Sequence, residues 1–448
     1  MSFPRYPAYK DSGIEWLGEV PEHWKVAGLK RKFSVVGGST PKSDVSSYWE
    51  GDIVWVTPAD LSGLNDFYIT TSYRQITDAG LSSCGASMVP EGSIILSTRA
   101  PIGSIGISIA PLCTNQGCKA LVPNKPVSSK FYAYLLKSVT YELNIQGKGT
   151  TFLELSGDAL AAFNVPIPTT EEQSTIAAFL DRETGKIDAL MAKQERLIDL
   201  LKEKRQAVIS HAVTKGLDPS APLKDSGIDW LGQVPEHWEV KPLKRISKIG
   251  NGATPLKDEP RYWENGTYPW LNSSVVNDES VRSSETFITE TALAECSLPR
   301  VKPPAILVGI TGEGRTRGMA TTLLFEATIN QHVAYIKPLD ESLHVGYLRR
   351  FFDMAYDRLR FESDGGGSTK GAITCEQLCR TKTPLPPPNE QSAISAYLEL
   401  KIDRFDTLIT EAQRAIALLK EHRSALISAA VTGKIDVRGL APAPEAAA

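Results

Sequence analysis

The feature that most constrains the fold is a sequence repeat that opens each half of the chain. Residues 11–24 read DSGIEWLGEVPEHW and residues 225–238 read DSGIDWLGQVPEHW, so 12 of the 14 positions are identical. Solenoid and propeller repeats have periods of about 20–50 residues, which is far shorter than the distance between these two segments. The chain is therefore interpreted as a module that has been duplicated once.

The two halves are similar at their ends and dissimilar between them. After the opening repeat, scattered identities persist to about residue 50, and then the halves diverge for about a hundred residues. Similarity returns at two Glu-Gln pairs and then continues without gaps. A shared framework with different middles predicts two related domains that act on different targets. The matched positions include Thr40-Pro41 with Thr254-Pro255, Tyr48-Trp49 with Tyr262-Trp263, and Glu172-Gln173 with Glu390-Gln391.

A long amphipathic helix is predicted at the end of each half. Between Glu171 and Val213 there is no Pro and the single Gly is Gly185, while apolar residues recur at three-four spacing. Because a helix cannot bury such a stripe alone, we expect the two helices to pair as an antiparallel coiled coil. Packing of each helix on its own domain, or on another protein, is the alternative. The predicted stripe consists of Ile187, Leu190, Leu197, Leu201, Val208, Phe405, Leu408, Ala415, Leu419 and Leu426.

The divergent middles combine short apolar runs, bounded by Gly and Pro, with helical segments. The predicted fold class is therefore α/β, of the α+β type, in two copies that are separated by a pair of long antiparallel coiled-coil helices, with a pseudo-two-fold internal duplication. The predicted segments are a first domain at 1–168, a helix at 169–215, a connector at 216–224, a second domain at 225–386, a helix at 387–433 and a tail at 434–448 that is disordered at its end.

No catalytic or metal-binding motif is found in the sequence. Walker A, dinucleotide-binding, serine-hydrolase and zinc-protease patterns are absent, and the six Cys lack the spacing of a zinc site. A structural role is favoured over a catalytic one for His23 and His237, which each precede a Trp. No apolar run is long enough to cross a bilayer and no signal-like start is found, which predicts a cytoplasmic protein without a membrane span.

Loops rich in Arg, Lys, Ser, Thr and Gly are the candidate binding elements. They recur at corresponding places, at 97–103 and 310–318 and again at 146–151 and 365–370. Such loops can hold phosphates, and Arg can read guanine edges; a solvated turn is the alternative. The aromatic pairs could stack on bases, but core packing explains them at least as well. The candidate DNA contacts are Thr40, Lys42, Ser43, Tyr48, Trp49, Arg99, Gly103, Lys148, Thr150, Thr151, Thr254, Lys257, Tyr262, Trp263, Arg315, Arg317, Ser368, Thr369 and Lys370.

The pattern closely resembles the specificity subunit of Type I restriction–modification enzymes over nearly the whole chain. The resemblance rests on the openings at 16–24 and 230–238 and on the Pro-then-Glu-Gln junctions at 167–173 and 385–391. The alanine-rich end of the tail is a departure from the family pattern. The resemblance implies two target recognition domains, each reading one half of a bipartite, asymmetric double-stranded DNA sequence, with the helices as a spacer.

The resemblance also implies partners. Two methyltransferase subunits would methylate adenine, and restriction subunits would translocate and cut DNA, so S-adenosylmethionine, ATP and Mg are expected on those partners. This chain would hold no cofactor and perform no catalysis. A subunit of a modification-only or orphan methyltransferase, and a coiled-coil scaffold that binds no DNA, are the alternatives.

The charge balance limits how DNA can be bound. The formal net charge is −3, and residues 1–168 contain as many Asp and Glu as Lys and Arg. Because non-specific DNA affinity depends on the release of counterions by Lys and Arg, we expect weak binding by the isolated chain. Most of the electrostatic affinity should then belong to the partner subunits.

Overall fold

A computed structural model describes residues 3–440 except 65, 100, 149–152, 313 and 365–370. The chain forms two compact units, Met1–Gln194 with Arg414–Ala448 and Glu195–Gln413. The units divide inside the long helices, so they differ from the functional segments predicted from the sequence, whose boundaries stay a prediction. The end of the predicted tail lies outside the described residues. In the described part of the chain, no helix has the length and apolar content that crossing a membrane requires.

The first unit is built on a five-stranded sheet. Its strands are β1 (Tyr9–Asp11), β2 (Glu19–Pro21), β3 (Lys25–Gly28), β4 (Phe33–Gly37), β5 (Trp49–Val56), β6 (Tyr68–Ile69), β7 (Gln75–Ile76), β8 (Ile94–Ser97), β9 (Ile105–Ser108), β10 (Cys113–Thr114), β11 (Cys118–Pro123) and β12 (Asn164–Ile167), and its helices are α1 (Pro58–Ser62), α2 (Asp78–Ser82), α3 (Ser129–Ser138), α4 (Thr140–Ile145), α5 (Gly157–Ala162) and the start of α6 (Thr170–Lys215). The five strands have the order β4-β11-β8-β9-β6, and a smaller sheet has the order β10-β5-β7. Ribbons β1-β2 and β3-β12 complete the unit.

The second unit repeats this topology. Its strands are β13 (Leu223–Asp225), β14 (Gln233–Pro235), β15 (Glu239–Pro242), β16 (Ser247–Asn251), β17 (Tyr268–Leu271), β18 (Ser280–Val281), β19 (Thr286–Ile288), β20 (Ala305–Gly309), β21 (Ala320–Leu323), β22 (Thr328–Ile329), β23 (Val333–Pro338) and β24 (Lys382–Leu385), and its helices are α7 (Pro260–Trp263), α8 (Glu290–Glu295), α9 (Val345–Asp364), α10 (Cys375–Arg380) and the start of α11 (Pro388–Val431). The orders β16-β23-β20-β21-β18 and β19-β17-β22 match those of the first unit. The duplication therefore extends through the divergent middles, and the predicted fold class is confirmed.

The core of each unit lies between the five-stranded sheet and one helix. Ile94 and Leu96 in β8 are fully buried and belong to one apolar cluster with Phe131 of α3. Ile306 of β20 and Phe351 of α9 are buried together in the second unit. Short continuous apolar runs are typical of strands that are covered on both faces, which explains why these central strands lack polar alternation.

Within each unit, the opening motif contacts the Glu-Gln junction at the start of the long helix. In the first unit, His23 Nε2 lies 2.8 Å from Glu172 Oε1, and Trp24 Nε1 donates to the same oxygen at 3.3 Å. Burial raises the pKa of the Glu172 carboxyl, but hydrogen bonds from His23, Trp24 and the Thr169 backbone outweigh burial and leave this pKa below its usual range. The carboxylate therefore ties the opening motif to the first turn of α6.

The second unit has the same contact between its opening motif and its helix. His237 Nε2 lies 2.7 Å from Glu390 Oε1, and Trp238 Nε1 donates to Glu390 Oε2 at 2.9 Å. Both histidines serve here as partners of a helix-start glutamate, which gives each a structural role. The repeated sequences at the beginning and end of each half therefore bind each other and form one framework in each unit.

Each unit is closed by a helix end that comes from the other half of the sequence. Gly433, two residues after α11, has φ +76°, and a Cβ there would lie 2.4 Å from Pro21 and 3.0 Å from the ring of Trp24. Gly216, just after α6, also has φ +76°, and a Cβ there would lie 3.1 Å from Trp238. Glycine suits both the left-handed backbone and the close approach of the indole.

The long helices pair in an antiparallel sense. The start of α6 shares the first unit with the end of α11, and the end of α6 shares the second unit with the start of α11. Arg423 forms an ion pair with Asp188 at 2.9 Å in the first unit, and Arg205 forms one with Asp406 at 3.1 Å in the second. Arg423 is the duplicate of Arg205 and Asp406 is the duplicate of Asp188, so one ion pair occurs twice.

The buried seam of the helices differs in part from the predicted stripe. Leu190, Leu197 and Leu408 are 47%, 43% and 47% exposed, so their predicted burial is wrong, and Ala415 lies half-buried one residue before the seam. In each case the residue that follows lies in the seam instead. The seam also includes polar side chains, which a search for apolar periodicity does not detect. In α6 the seam runs through Ile187, Met191, Gln194, Ile198, Leu201, Arg205, Val208 and Ala212, and α11 repeats it at the duplicated positions.

Candidate nucleic-acid interface

In the first unit, four loops meet at one end of the five-stranded sheet. Strands β4 and β8 end there and β11 begins there, because Cys118 pairs with Ser97 and Lys119 pairs with Gly37. We call this set the loop edge of the first unit and define it as residues 38–43 and 115–117 and the described residues of 98–103 and 148–155. The topology therefore gathers the loops that follow or precede three neighbouring strands.

Backbone and side-chain hydrogen bonds join the last three of these loops. Thr98 N donates to Gly117 O at 2.8 Å, and Leu155 N donates to Thr98 O at 2.9 Å. Arg99 pairs with Glu154 both as a β-bridge and through an Nε–Oε2 ion pair of 3.1 Å. These bonds hold the loops side by side at the surface.

The second unit has the same contacts at the corresponding end of its sheet. Ile310 N donates to His332 O at 3.0 Å, Ile373 N donates to Ile310 O at 2.8 Å, and Thr311 forms a β-bridge with Ala372. The loop edge of the second unit comprises residues 252–257, 330–332 and 371–373 and the described residues of 310–318. Thr311 therefore occupies the place that Arg99 occupies in the first unit.

A pair of tryptophans supports the first loop of each edge. Trp49 Nε1 donates to Lys42 O at 3.1 Å and Trp55 Nε1 donates to Ser39 O at 2.9 Å, and the two rings meet edge to face at 5.2 Å. The guanidinium of Arg74 covers the Trp49 ring at 3.5 Å. Both indoles are buried, so they fix the backbone of the loop.

The second unit uses the same device. Trp263 Nε1 donates to Leu256 O at 2.9 Å, Trp270 Nε1 donates to Ala253 O at 3.1 Å, and the rings meet at 5.4 Å. The neighbouring Tyr262 is buried and its hydroxyl donates to Glu295, whereas its counterpart Tyr48 is half-buried. The structure thus shows that these aromatic candidates lie beneath the loop edges and stabilise the loop backbone.

An Asn-Gln pair at each loop edge was missed from the sequence. Asn115 Oδ1 accepts from Gly117 N, and Asn330 Oδ1 accepts from His332 N, each at 2.9 Å. The following glutamines, Gln116 and Gln331, are exposed. The signal was present, because both dipeptides precede a central apolar strand, β11 or β23, inside otherwise divergent middles.

Each of these glutamines accepts a hydrogen bond from a predicted site residue. Thr40 Oγ1 donates to Gln116 Oε1, and Thr254 Oγ1 donates to Gln331 Oε1 at 2.6 Å. Thr254 and Gln331 also line a cleft of about 470 Å³ together with Lys257, Trp263, Trp270, Asn272, Thr286, Asn330 and His332. The structure therefore brings the first predicted loop and the missed Asn-Gln pair together.

The remaining predicted residues fall into three groups. Lys42, Ser43, Arg99, Lys148, Lys257 and Arg315 are exposed on the loop edges. Arg317 and Gly103 are buried. Thr150, Thr151, Ser368, Thr369 and Lys370 lie outside the described residues.

The two buried candidates have local structural roles. Arg317 Nη2 forms an ion pair with Asp364 at 2.7 Å, and the arginine side chain is 5% exposed. Gly103 has φ +104°, and a Cβ there would lie 2.4 Å from Thr140. In these positions Arg317 ties its loop to the end of α9, and Gly103 lets its loop pack against the residue that opens α4.

The cysteines and acidic residues do not form a metal site within the described ranges, where no group of three His, Cys, Asp or Glu could hold an ion. Burial raises the pKa of the Cys113 thiol to about 12. Burial, with a smaller effect of Asp60, does the same for Cys118. Since the thiolate is the reactive form, these two thiols are inert near neutral pH.

Each half of the chain matches one known protein family. Residues 21–198 and 235–418 match the Type I restriction modification DNA specificity domain. The chain is 30% identical over 437 residues to the Type I restriction enzyme MjaIX specificity subunit of Methanocaldococcus jannaschii, and the match covers 95% of this chain and 96% of that relative.

Solved structures share the fold. A chain from the study "Structural basis underlying complex assembly and conformational transition of the type I R-M system" matches with a TM-score of 0.66 at 19% identity and covers 92% of this chain and 98% of its own length. The HsdS subunit from Thermoanaerobacter tengcongensis matches with a TM-score of 0.57 at 18% identity and the same coverage. At these identities the likeness concerns the fold.

Proposed function

The chain belongs to the Type I restriction modification DNA specificity family, and from this premise we propose that it selects the bipartite DNA sequence on which a Type I complex acts. The first unit reads one half of the target through its loop edge, and the second unit reads the other half. The observation that carries this proposal is the pair of loop edges, which share one backbone framework and differ in their side chains. Two readers of unlike half-sites need this combination.

The long helices are proposed to fix the distance between the half-sites. Helix α6 has 46 residues and α11 has 44, and each runs through both compact units. At 1.5 Å per residue, α6 is about 69 Å long, which is about two turns of B-DNA at about 34 Å per turn. A helix pair with a continuous heptad seam resists bending and can serve as a ruler.

The chemistry is proposed to reside on partner subunits. Two methyltransferase subunits would supply S-adenosylmethionine-dependent methylation, and restriction subunits would supply ATP- and Mg-dependent translocation and cleavage. Exposed leucines on the helices support two equivalent docking sites. Leu190 and Leu418 are exposed in the first unit, and their duplicates, Leu408 and Leu200, are exposed in the second.

Reconstitution of the chain with its methyltransferase subunits tests the assignment. We expect single-molecule sequencing of DNA methylated by the complex to report two short motifs separated by an unspecified spacer. The chain alone is expected to retard DNA weakly, because residues 1–168 have no net charge. The proposal would be contradicted by a contiguous motif, or by DNA binding of the chain alone that is as tight as binding of the reconstituted complex.

Changing one exposed leucine pair is expected to remove one methyltransferase subunit. The double variant Leu190→Glu, Leu418→Glu places charge on the apolar surface of the first unit, and burial of each leucine is worth about 1.5–3 kcal/mol. Native mass spectrometry should therefore show one bound methyltransferase instead of two. The matched variant Leu200→Glu, Leu408→Glu should lose the other subunit, and Lys193→Glu, which reverses an exposed charge on α6, should retain both. Two subunits on either leucine variant would place docking elsewhere.

A further inference from the structure

We infer a division of labour within each loop edge, which deepens the proposed function and rests on it. The Thr40–Gln116 and Thr254–Gln331 pairs make the same sequence-independent contact with the DNA backbone. The neighbouring position determines a base, and it holds Arg99 in the first unit and the Thr311–His332 pair in the second.

The shared pair cannot distinguish two different half-sites. Both pairs lie at the same place on the same framework, with the threonine hydroxyl donating to the glutamine Oε1. This hydrogen bond fixes which way each carboxamide points and leaves Nε2 hydrogens as the donors of an exposed side chain; Gln331 directs one of its two at His332 Nε2 and keeps the other. Amide donors are common partners of phosphate oxygens, and phosphate contacts set the position of a protein on DNA without reading its sequence.

Charge near each pair fits a backbone contact. Lys42 is exposed two residues after Thr40, and Lys257 is exposed three residues after Thr254. The loop that holds them is fixed by indole hydrogen bonds in both units. An anion placed at the glutamine therefore lies beside a loop that presents a positive charge.

The adjacent position differs in chemistry between the two units. Arg99 pairs with Glu154 through Nε, and both side chains are over one-third exposed. The terminal Nη1 and Nη2 atoms of an arginine are the donors that bind O6 and N7 of guanine. In the first half-site, this position is assigned to a guanine.

The second unit presents a different group at this place. Thr311 Oγ1 lies 2.7 Å from His332 Nδ1, and His332 Nε2 lies 3.2 Å from Gln331 Nε2. Because the Gln331 amide can only donate, His332 Nε2 accepts from it and Nδ1–H donates to Thr311 Oγ1. The Thr311 hydroxyl is then left to offer a single hydrogen bond in place of the two-pronged arginine contact. The His332 carbonyl also accepts a hydrogen bond from Ile310 N, which holds the His332 backbone against the neighbouring loop just before β23 begins.

The test uses the complex reconstituted with methyltransferase subunits. For each variant, two quantities are measured: the affinity for duplex DNA and the sequence motif that is methylated. Gln116→Glu and Gln331→Glu keep side-chain size but replace the amide donor with a carboxylate that repels phosphate. Each is expected to weaken binding to all duplexes about tenfold, in the range of a lost hydrogen bond to a charged group. The motif should stay unchanged with Gln116→Glu, whereas Gln331 also contacts His332 and its variant tests affinity alone. The control is Gln233→Glu, since the first half of the chain has Glu19 at the matched position, and it should bind normally.

The specificity position is tested by Arg99→Ala and His332→Ala. The first variant is expected to make one base of the first half-site degenerate, and the second variant one base of the second half-site, each with the other half intact. A changed motif with Gln116→Glu would overturn the backbone assignment, and an unchanged motif with either Ala variant would overturn the base assignment in that unit. Failure of the proposed function would appear instead in the unaltered complex, as a motif that is not bipartite.

Discussion

One heptad inserted into each long helix, after Gln194 and after Ala412, is expected to lengthen the unspecified spacer of the DNA target by about three base pairs. These two positions are duplicates of each other, and both lie on the buried seam. Seven residues add about 10.5 Å at 1.5 Å per residue, and DNA rises about 3.4 Å per base pair. A copy of the preceding seven residues keeps the seam in phase, so both half-sites should be retained.

The controls separate the ruler from general damage. A heptad in α6 alone leaves the two helices unequal in length, and it is expected to abolish methylation. The double insertion should retain methylation, with a motif whose two halves are unchanged and farther apart. Sequencing of the methylated DNA reads both quantities at once. An active double insertion with the original spacer would show that the helices do not set the distance.

The helix pair also shows how far sequence periodicity can be taken. Residues 187, 201 and 208 lie on both the predicted stripe and the seam, since their spacings are multiples of seven. The intermediate positions were ambiguous because Leu190 is followed by Met191 and Leu197 by Ile198. Apolar character alone could not decide which residue of each pair is buried. The seam residues Gln194 and Arg205 are polar, so they gave no signal for its position. Packing against the partner helix decides, and leaves the leucines exposed.

The framework was predictable from the sequence because the duplicated ends are held by direct contacts. His23 and Trp24 both bind Glu172, so a change of Glu172 would leave both side chains without this partner. The middles keep the same strand order with different apolar residues. Any well-packed set of apolar side chains can fill such a core, which explains why their similarity is invisible in the sequence.

The loop edges were predictable as regions but not residue by residue. Thr40 and Thr254 were identified from their matched surroundings, whereas the register between loops 97–103 and 310–318 could not be set without the hydrogen bonds to Gly117 and His332. Those bonds show that Arg99 corresponds to Thr311. A short insertion in the second loop had hidden this correspondence, because its arginines lie farther along the chain and one of them is buried.

A chain with two copies of the second reader is expected to lose the first half-site and gain a second copy of the other. The replacement of residues 29–163 by residues 243–381 exchanges the whole middle between the two duplicated frameworks. It leaves in place the opening motif, the ribbon of β3 with β12, and the contacts to Glu172 and Gly433. The boundaries fall at equivalent points, since Leu29 N bonds to Phe163 O and Leu243 N bonds to Thr381 O, each at 3.0 Å.

The reciprocal chimera, with residues 29–163 in both places, provides the matched control. It should recognise the first half-site twice, and both chimeras should keep the original spacer because neither changes α6 or α11. If recognition belongs to these middles, the two methylated motifs together must contain each natural half-site twice. A folded, active chimera that still recognises the natural asymmetric target would show that the bases are read outside residues 29–163 and 243–381, and it would remove the loop edges from the DNA interface.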